Sequence, residues 1–371
     1  MQEQPLKAIV EQFDIQGTVK SVKPLGAGHI NDSYKVVTES SKTPDYVLQR
    51  INHYIFKNVD ALQNNILRVT GHIRGKLAAA GVKDVENRVL RLAPAKDGKL
   101  YHKDADGNYW RILYFIPDSH SYDEGITPEL ALYAGRAFGD FQAMLADLPG
   151  APLVETIPNF HNMESRLATF RQAVKDNKAG RLTKVGAPFT VAQMVDEIEK
   201  RADEMCKAER LHREGVLPKR INHCDTKVNN VLFDANNQVL CVVDLDTVMP
   251  GYVLSDFGDF MRTGANTGKE DDTDLDRISI DMKIFEAYTK GYLEKAKSFL
   301  LPVELENLAF GAKLLTYMQT VRFFADYLDG DLYYKIHSPE HNWQRTVAQF
   351  KLLQSMEEHF GEMCRIVKKA V

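Results

Sequence analysis

Cysteine is scarce, with only Cys206, Cys224, Cys241 and Cys364 in 371 residues. None forms a Cys-x-x-Cys pair, which sets aside the common zinc and redox spacings, and four are too few for a disulfide scaffold. Glycine (23) and proline (14) are too few for a collagenous or Pro/Gly-rich disordered chain. Long apolar runs are missing too. The longest, such as Val239 to Val243, fall far short of the roughly 18 residues of a membrane helix. Met1 to Val10 has no basic stretch followed by an apolar one, so the expected location is cytoplasmic. A net charge of −4 and a pI near 6.3 give no general affinity for nucleic acid. With 44% hydrophobic and 26% charged residues, the composition is that of a protein with an ordinary core.

The small net charge averages a split. Residues 1–117 hold 17 basic and 12 acidic residues, whereas residues 118–371 hold 30 and 39. The pattern changes at the same place. Before it, strand-like segments occur at 19–25, 34–38, 46–51, 89–92 and 110–116, with a helical stretch at 60–80. This predicts a five-stranded antiparallel sheet plus a helix. After Pro117, helical periodicity dominates: 128–146, 162–175, 191–213, 281–297, 302–328 and 342–369. The expected architecture is α+β, with a small N-terminal lobe (1–117) and a larger, mainly helical C-terminal lobe (118–371).

One strand–turn–strand unit interrupts the helices and carries the densest polar set. It reads Ile-Asn-His223-Cys-Asp225-Thr-Lys-Val-Asn-Asn230-Val-Leu-Phe, then a turn at 234–238, then Val-Leu-Cys-Val-Val-Asp244-Leu-Asp246. A hairpin brings its two ends together, which predicts Asn230 and Asp244 as joint ligands of a hard divalent cation, Mg2+. Asp225 is then a carboxylate free to accept a proton. Phosphoryl transfer needs these parts. The order His-x-Asp-x-x-x-x-Asn, then Asp, matches the kinase catalytic loop and metal ligand. Asp256-Phe257-Gly258 also matches a kinase motif, but it lies 31 positions past Asp225, too far for one hairpin. Asp256 is expected to buttress the loop through backbone N–H groups.

These residues resemble the aminoglycoside phosphotransferase and choline kinase superfamily, which has a protein-kinase-like fold and phosphorylates small-molecule hydroxyls. The similarity extends over Gly26-Ala-Gly-His-Ile-Asn31, Tyr46 to Asn52, Phe138 to Gln142, Asp244 to Gly251, Asp256 to Asp259 and Arg322 to Asp331. Within the superfamily it is strongest to bacterial kinases acting on the 1-hydroxyl of N-acetylhexosamines. The resemblance implies ATP as phosphoryl donor, Mg2+ as cofactor and a small-molecule sugar as partner. It makes Asp225 the base, Asn230 and Asp244 the metal ligands, and His223 a structural pin.

On the nucleotide side, Gly26 and Gly28 let backbone N–H groups approach phosphate. The frame Val47-Leu-Gln-Arg50 puts Arg50 where kinases place a lysine. No Glu occurs between Tyr46 and Val85, so the usual helix partner is absent. Val22 and Ile116 are expected to sandwich the base. On the acceptor side, the resemblance favours Arg322 as a sugar contact, with Asp326 four residues on as a competing intrahelical partner. Tyr333 offers an aromatic platform, and His29 and Asn31 complete the set. Asp246, two residues past Asp244 and so on the same face in strand geometry, is open to either metal or sugar. Two rivals stay open: another acceptor (an aminoglycoside, choline, ethanolamine, homoserine or a plain hexose), or a nucleotide-binding pseudokinase.

Overall fold

Turn residues at 39–45 and a glycine turn ahead of Ser33 fold the first strands back on each other. The computed structural model describes residues 3–26, 30–186 and 188–371. The chain divides into two compact units that differ from a continuous split at residue 117. The first comprises Met1–Ser121, Asp147–Pro158 and Val231–Met249; the second comprises Tyr122–Ala146, Asn159–Asn230 and Pro250–Val371.

The first unit opens with helix α1 (Glu3–Val10), then strands β1 (Val19–Pro24), β2 (Asp32–Thr38) and β3 (Tyr46–Ile51). Helix α2 (Val59–Ala79) follows, then β4 (Leu92–Ala93), β5 (His102–Lys103) and β6 (Tyr109–Tyr114). The sheet is antiparallel in the order β1-β2-β3-β6-β4, with β5 also on β6. It therefore has six strands rather than five, because the segment between 96 and 108 pairs briefly with β6. Strand alternation sorts its residues. Val22, Val36, Tyr46, Leu48, Trp110 and Ile112 form one buried core with Leu6, Val10 and Phe13 from α1 and the turn after it. Gln49 and Arg111, paired in register, face the other way. In α2, Asn58 caps Ala61 N–H at 3.0 Å, and Leu62, Ile66, Val69 and Ile73 are buried.

The second unit is helical: α3 (Pro128–Leu145), α4 (Met163–Asp176), α5 (Val191–Met205), α6 (Lys207–Arg213), then, after the segment that carries the candidate site, α7 (Val253–Gly264), α8 (Met282–Ala296), α9 (Pro302–Glu306), α10 (Leu308–Asp329), α11 (His341–Glu358) and α12 (Phe360–Ala370). The short strands of the polar segment are β7 (Arg220–Asn222), β8 (Val231–Phe233), β9 (Val239–Val242) and β10 (Met249–Gly251). Three expected long helices are each broken once, at Cys206, Asn307 and His359. At two of these a side chain competes for helix carbonyls. Asn307 Nδ2 donates to Val303 O at 2.7 Å, and His359 Nδ1 lies 2.8 Å from Ser355 O. Of the apolar residues at helical spacing near the C-terminus, Trp343, Val347, Phe350, Leu353 and Met356 are buried and Phe360 is half-buried. Among the described residues, no helix is long and apolar enough to cross a membrane.

Two close helix crossings hold this unit. On α8, a Cβ at Gly291 would sit 2.1 Å from Leu132 O of α3. On α7, a Cβ at Gly258 would sit 2.0 Å from Gly311 O of α10. Backbones this close leave no room for a methyl group. Gly291→Ala is expected to destabilise the fold by about 1–3 kcal/mol through overpacking. Gly361→Ala in α12, where nothing lies within 4 Å of the added Cβ, is expected to stabilise it by up to ~1 kcal/mol. Denaturant unfolding of both variants checks the contrast.

Candidate active site

Strand β7 delivers the chain to residues 223–227, and α7 receives it. Asp256 Oδ2 accepts the His223 N–H at 2.7 Å and Oδ1 accepts the Cys224 N–H at 2.8 Å. Asp259, one turn further on, accepts the Thr226 N–H at 2.9 Å. Thr226 Oγ1 donates back to Asp256 O at 2.6 Å. Cys224 sits in the left-handed region (φ 62), which is strained for a side-chain-bearing residue. These bonds hold it there. Gln142 of α3 donates to Asp256 Oδ2 at 2.7 Å, and Tyr292 of α8 donates to Gln142 Oε1 at 2.5 Å. The Asp256 side chain thus lies in the buttressing position expected for it.

His223 is fully buried against Phe138 and Phe141, edge-on to both rings. Its Nδ1 accepts the Asp225 N–H at 3.3 Å, so this nitrogen points at the loop backbone. Asp225 lies among donors. Lys227 Nζ is 3.2 Å from Oδ1, and Asn230 Nδ2 reaches Oδ2 at 3.2 Å and the backbone O at 2.8 Å. Burial alone would raise the Asp225 carboxyl. Lys227, His223 and Arg262 more than offset that and hold it below the ordinary carboxylate range. In turn Asp225 raises Lys227 against the opposing effect of burial.

The β8–β9 hairpin forms as expected, with Val231 paired to Val242. Beyond it the chain leaves strand geometry. Asp244 takes a left-handed conformation (φ 59, ψ 59) and opens a 3-10 turn, Leu245–Thr247. Asp244 is exposed and Asp246 is buried. The two-residue spacing therefore does not put them on one face.

Asp246 is engaged within the sheet unit. Arg111 NH1 and NH2 grip its two oxygens at 2.5 and 2.9 Å, and Asn31 Nδ2 donates to Oδ2 at 2.5 Å. Arg111 Nε donates to Gln49 Oε1 at 2.9 Å, and Gln49 Nε2 donates to Ser33 Oγ at 2.9 Å. Asn31 Oδ1 accepts the Asn52 N–H at 2.9 Å. Asp246 and Asn31, expected as substrate contacts, are bonded to each other, and Asn31 is tied on to Asn52 of the sheet unit. Arg50, expected at the phosphates, is also engaged. It lies on the opposite face of β3 from Gln49 and pairs with Asp32, its cross-strand neighbour, through Nε at 2.8 Å and through NH2. Val22 is in the core beside α1, so its expected place against a base is not kept. Gly26 has φ 66, a conformation suited to glycine. Gly28 and His29 lie outside the described residues. Ile116 is buried, and its carbonyl accepts Ser119 Oγ at 2.7 Å.

Around Arg322 the competing ion pair does not form. Asp326 accepts the N–H groups of Leu332, Tyr333 and Tyr334 at 2.8–3.0 Å, and Asn342 Nδ2 at 2.8 Å. This carboxylate fixes the loop after α10 and leaves Tyr333 half exposed. Arg322 NH1 donates to Gln319 Oε1 at 3.0 Å, and its guanidinium lies 5.0 Å from the Phe160 ring centre and 5.7 Å from that of Tyr334. Arg166 Nε and NH2 both donate to Phe160 O, at 3.0 and 2.7 Å. Burial first, then Arg322, pushes Arg166 down to about 10, so it stays charged at neutral pH. Among the described residues, neither arginine makes an ion pair. The residues missed in the sequence are Phe160, His161, Arg166, Arg111, Lys227 and Asp259. Lys227, inside the His-x-Asp motif, and Asp259, closing the Asp256 to Asp259 segment, stood where a signal pointed.

Comparison with known proteins agrees with the fold and the loop. The model of the phosphotransferase enzyme family (APH) matches residues 21–292, and the chain belongs to that family. An aminoglycoside phosphotransferase from Alicyclobacillus acidocaldarius is similar in structure, with TM-score 0.62, 13% identity, and 98% of this chain and 96% of that one covered. A choline kinase from Cryptosporidium parvum follows, with TM-score 0.58, 12% identity and 97% of each chain covered. Spectinomycin phosphotransferase, solved with ADP and spectinomycin, has TM-score 0.55 and 12% identity, covering 100% and 98%. The protein is thus a member of the phosphotransferase enzyme family, with the mixed fold of protein-kinase-like enzymes.

Two measurements test the networks. Burial pushes the Asp256 carboxyl up to about 6, against the pull of His223, two backbone N–H groups and Gln142. As pH falls through that value the carboxylate takes a proton and loses acceptor capacity for the loop. Turnover is expected to drop on the acid side with an apparent pKa near 6. Gln142→Leu removes a donor that favours the charged form, so the limb moves to higher pH. An acid limb that stays in place assigns it to another group. Separately, Arg111→Met leaves Asp246 buried without its partner and is expected to cost about 3–5 kcal/mol. Adding Asp246→Leu recovers most of that loss in denaturant unfolding.

Proposed function

We propose that this chain is an ATP-dependent anomeric kinase. It transfers the γ-phosphoryl group to the 1-hydroxyl of an N-acetylhexosamine (GlcNAc or GalNAc) and releases the α-1-phosphate and ADP. The observation that carries the acceptor class is the charge of the Arg322 cluster. Arg322 and Arg166 flank Phe160 without a carboxylate partner, and both act on a histidine that also senses Asp225. Guanidinium groups donate to hydroxyl and amide oxygens and repel ammonium groups. A neutral, oxygen-rich sugar suits this cluster better than an aminoglycoside or choline, the substrates named for the structural relatives. Tyr333 offers the exposed ring on which a sugar face rests.

In the proposed step, the anomeric oxygen forms a bond to the γ-phosphorus while the bond to the β–γ bridging oxygen breaks in line. The hydroxyl proton passes to Asp225. That carboxylate is a weak base, which fits a loose transition state in which the proton leaves late. Its task is to stay ionised and orient the hydroxyl, with Lys227 and Asn230 fixing its rotamer. Asn230 spends its Nδ2 on Asp225, and no described donor reaches its Oδ1. As residue types, the amide oxygen of Asn230 and the carboxylate of Asp244 are hard donors of the kind Mg2+ takes. Among the described residues, no cluster of three or more His, Cys, Asp or Glu forms a cage. Mg2+ does not need one, because it retains water and substrate phosphate as ligands. When bound, it neutralises charge on the phosphates.

Asp225→Asn is expected to keep the unfolding temperature and to lower kcat by about 10²–10⁴-fold. Near-full turnover in that variant rules out the assigned base. Phosphorus NMR of ATP with N-acetylglucosamine and N-acetylgalactosamine is expected to show an anomeric phosphate. Phosphate on C6, or turnover of amino alcohols or aminoglycosides with no sugar phosphate, overturns the acceptor reading.

A further inference from the structure

The residues just ahead of α4 hold a side chain that the reaction above does not use. Asn159 turns the chain with φ 56, and the Phe160 and His161 rings then stack, with centres 4.5 Å apart and planes 16° apart. The stack is mounted rigidly. Arg166 holds the Phe160 carbonyl with two hydrogen bonds, Arg322 lies against the Phe160 ring, and Asn162 Oδ1 caps α4 through the Ser165 N–H at 2.8 Å. His161 Nδ1 is shut off from solvent and has no hydrogen-bond partner among the described residues. A buried polar nitrogen left unmatched is costly, and native proteins keep one only where something else occupies it. The charged groups acting on this ring are Arg322, Arg166, Arg262 and Asp225, which puts it in the cluster assigned above to the acceptor. Burial first, then the three arginines, holds the imidazole well below its usual value, so it is uncharged at neutral pH. The aspartate pulls the other way and does not reverse this.

We infer that His161 is a specificity-determining residue: its Nδ1 accepts one hydrogen bond from a hydroxyl or amide N–H of the neutral acceptor whose reacting hydroxyl faces Asp225. This rests on the acceptor reading proposed above. A neutral imidazole suits such a contact. It can accept from an N–H or O–H group, and it adds no positive charge beside two arginines. The stack on Phe160 fixes the ring plane, so the nitrogen points one way and discriminates among acceptors by where their donors lie.

The test is steady-state kinetics on His161→Phe and His161→Asn, using whichever acceptor the phosphorus NMR panel returns. His161→Phe keeps an aromatic ring on Phe160 and removes the nitrogen. The expected result is a rise of about 10-fold or more in KM for the acceptor, with KM for ATP and the unfolding temperature unchanged. His161→Asn places an amide oxygen near the Nδ1 position and is expected to restore most of the affinity. Two outcomes overturn the inference: an unchanged acceptor KM in His161→Phe, or equal losses for ATP and acceptor together with a lower unfolding temperature in both variants. If the working acceptor is not an N-acetylhexosamine, the proposed function falls while the His161 contact is still decided by its own acceptor KM.

Discussion

The site depends on a carboxylate that binds backbone. Asp256 takes two successive loop N–H groups, from His223 and Cys224, and a third donor from Gln142. That bridge holds Cys224 in a left-handed conformation that costs a side-chain-bearing residue about 1–2 kcal/mol. The turn at Cys224 points Asp225 out of the core while His223 points in. Asp259 repeats the device one helical turn later for Thr226. A single helix face thus sets the register of the loop, and the Gly258–Gly311 crossing lets that helix lie close to α10. In Asp-Phe-Gly-Asp, Phe257 is fully buried, Gly258 allows the close crossing, and the two aspartates hold the loop.

The sheet unit shows the same economy with the opposite charge. Arg111 is buried in the middle of β6 and brings a full positive charge into a region of few polar groups. Its desolvation is tolerable because all its directions are answered: two by Asp246 and one by Gln49. The same carboxylate accepts from Asn31, at the end of the glycine turn.

Much of this was legible before any coordinates. The hairpin at 231–242 followed from its turn. Asp256 was separated from the metal ligands by spacing alone, since 31 positions exceed one hairpin. The helices followed from their apolar period. Other features were not legible. The frame that aligned Arg50 with a kinase lysine says nothing of its pairing with Asp32 across the strands, and in a strand one position reverses the side. Gln49 and Arg111 hold the face opposite Arg50. Asp244 and Asp246 were paired by strand periodicity, but the chain turns at Asp244. Arg111 sits in Tyr-Trp-Arg-Ile-Leu-Tyr, which reads as a core strand, and its partner lies 135 positions away. The helix breaks at Cys206, Asn307 and His359 involve neither glycine nor proline, so no local signal marked them.

The charge split also changes meaning at close range. Residues 118–371 carry a net of −9, which by itself suits a cationic acceptor. Yet the groups beside Phe160 are Arg166 and Arg322; Asp326, one turn from Arg322, is spent on backbone N–H groups, and Glu164, two residues from Arg166, pairs with Arg213. Like charges held together without counter-ions repel, and Arg166 is depressed for that reason as well as for burial. A fold keeps such a pair only where the positions are fixed by other bonds, here the Phe160 carbonyl and Gln319. In the reading proposed above, acceptor oxygens between the two groups relieve that strain, and selectivity follows from what the site repels as much as from what it holds.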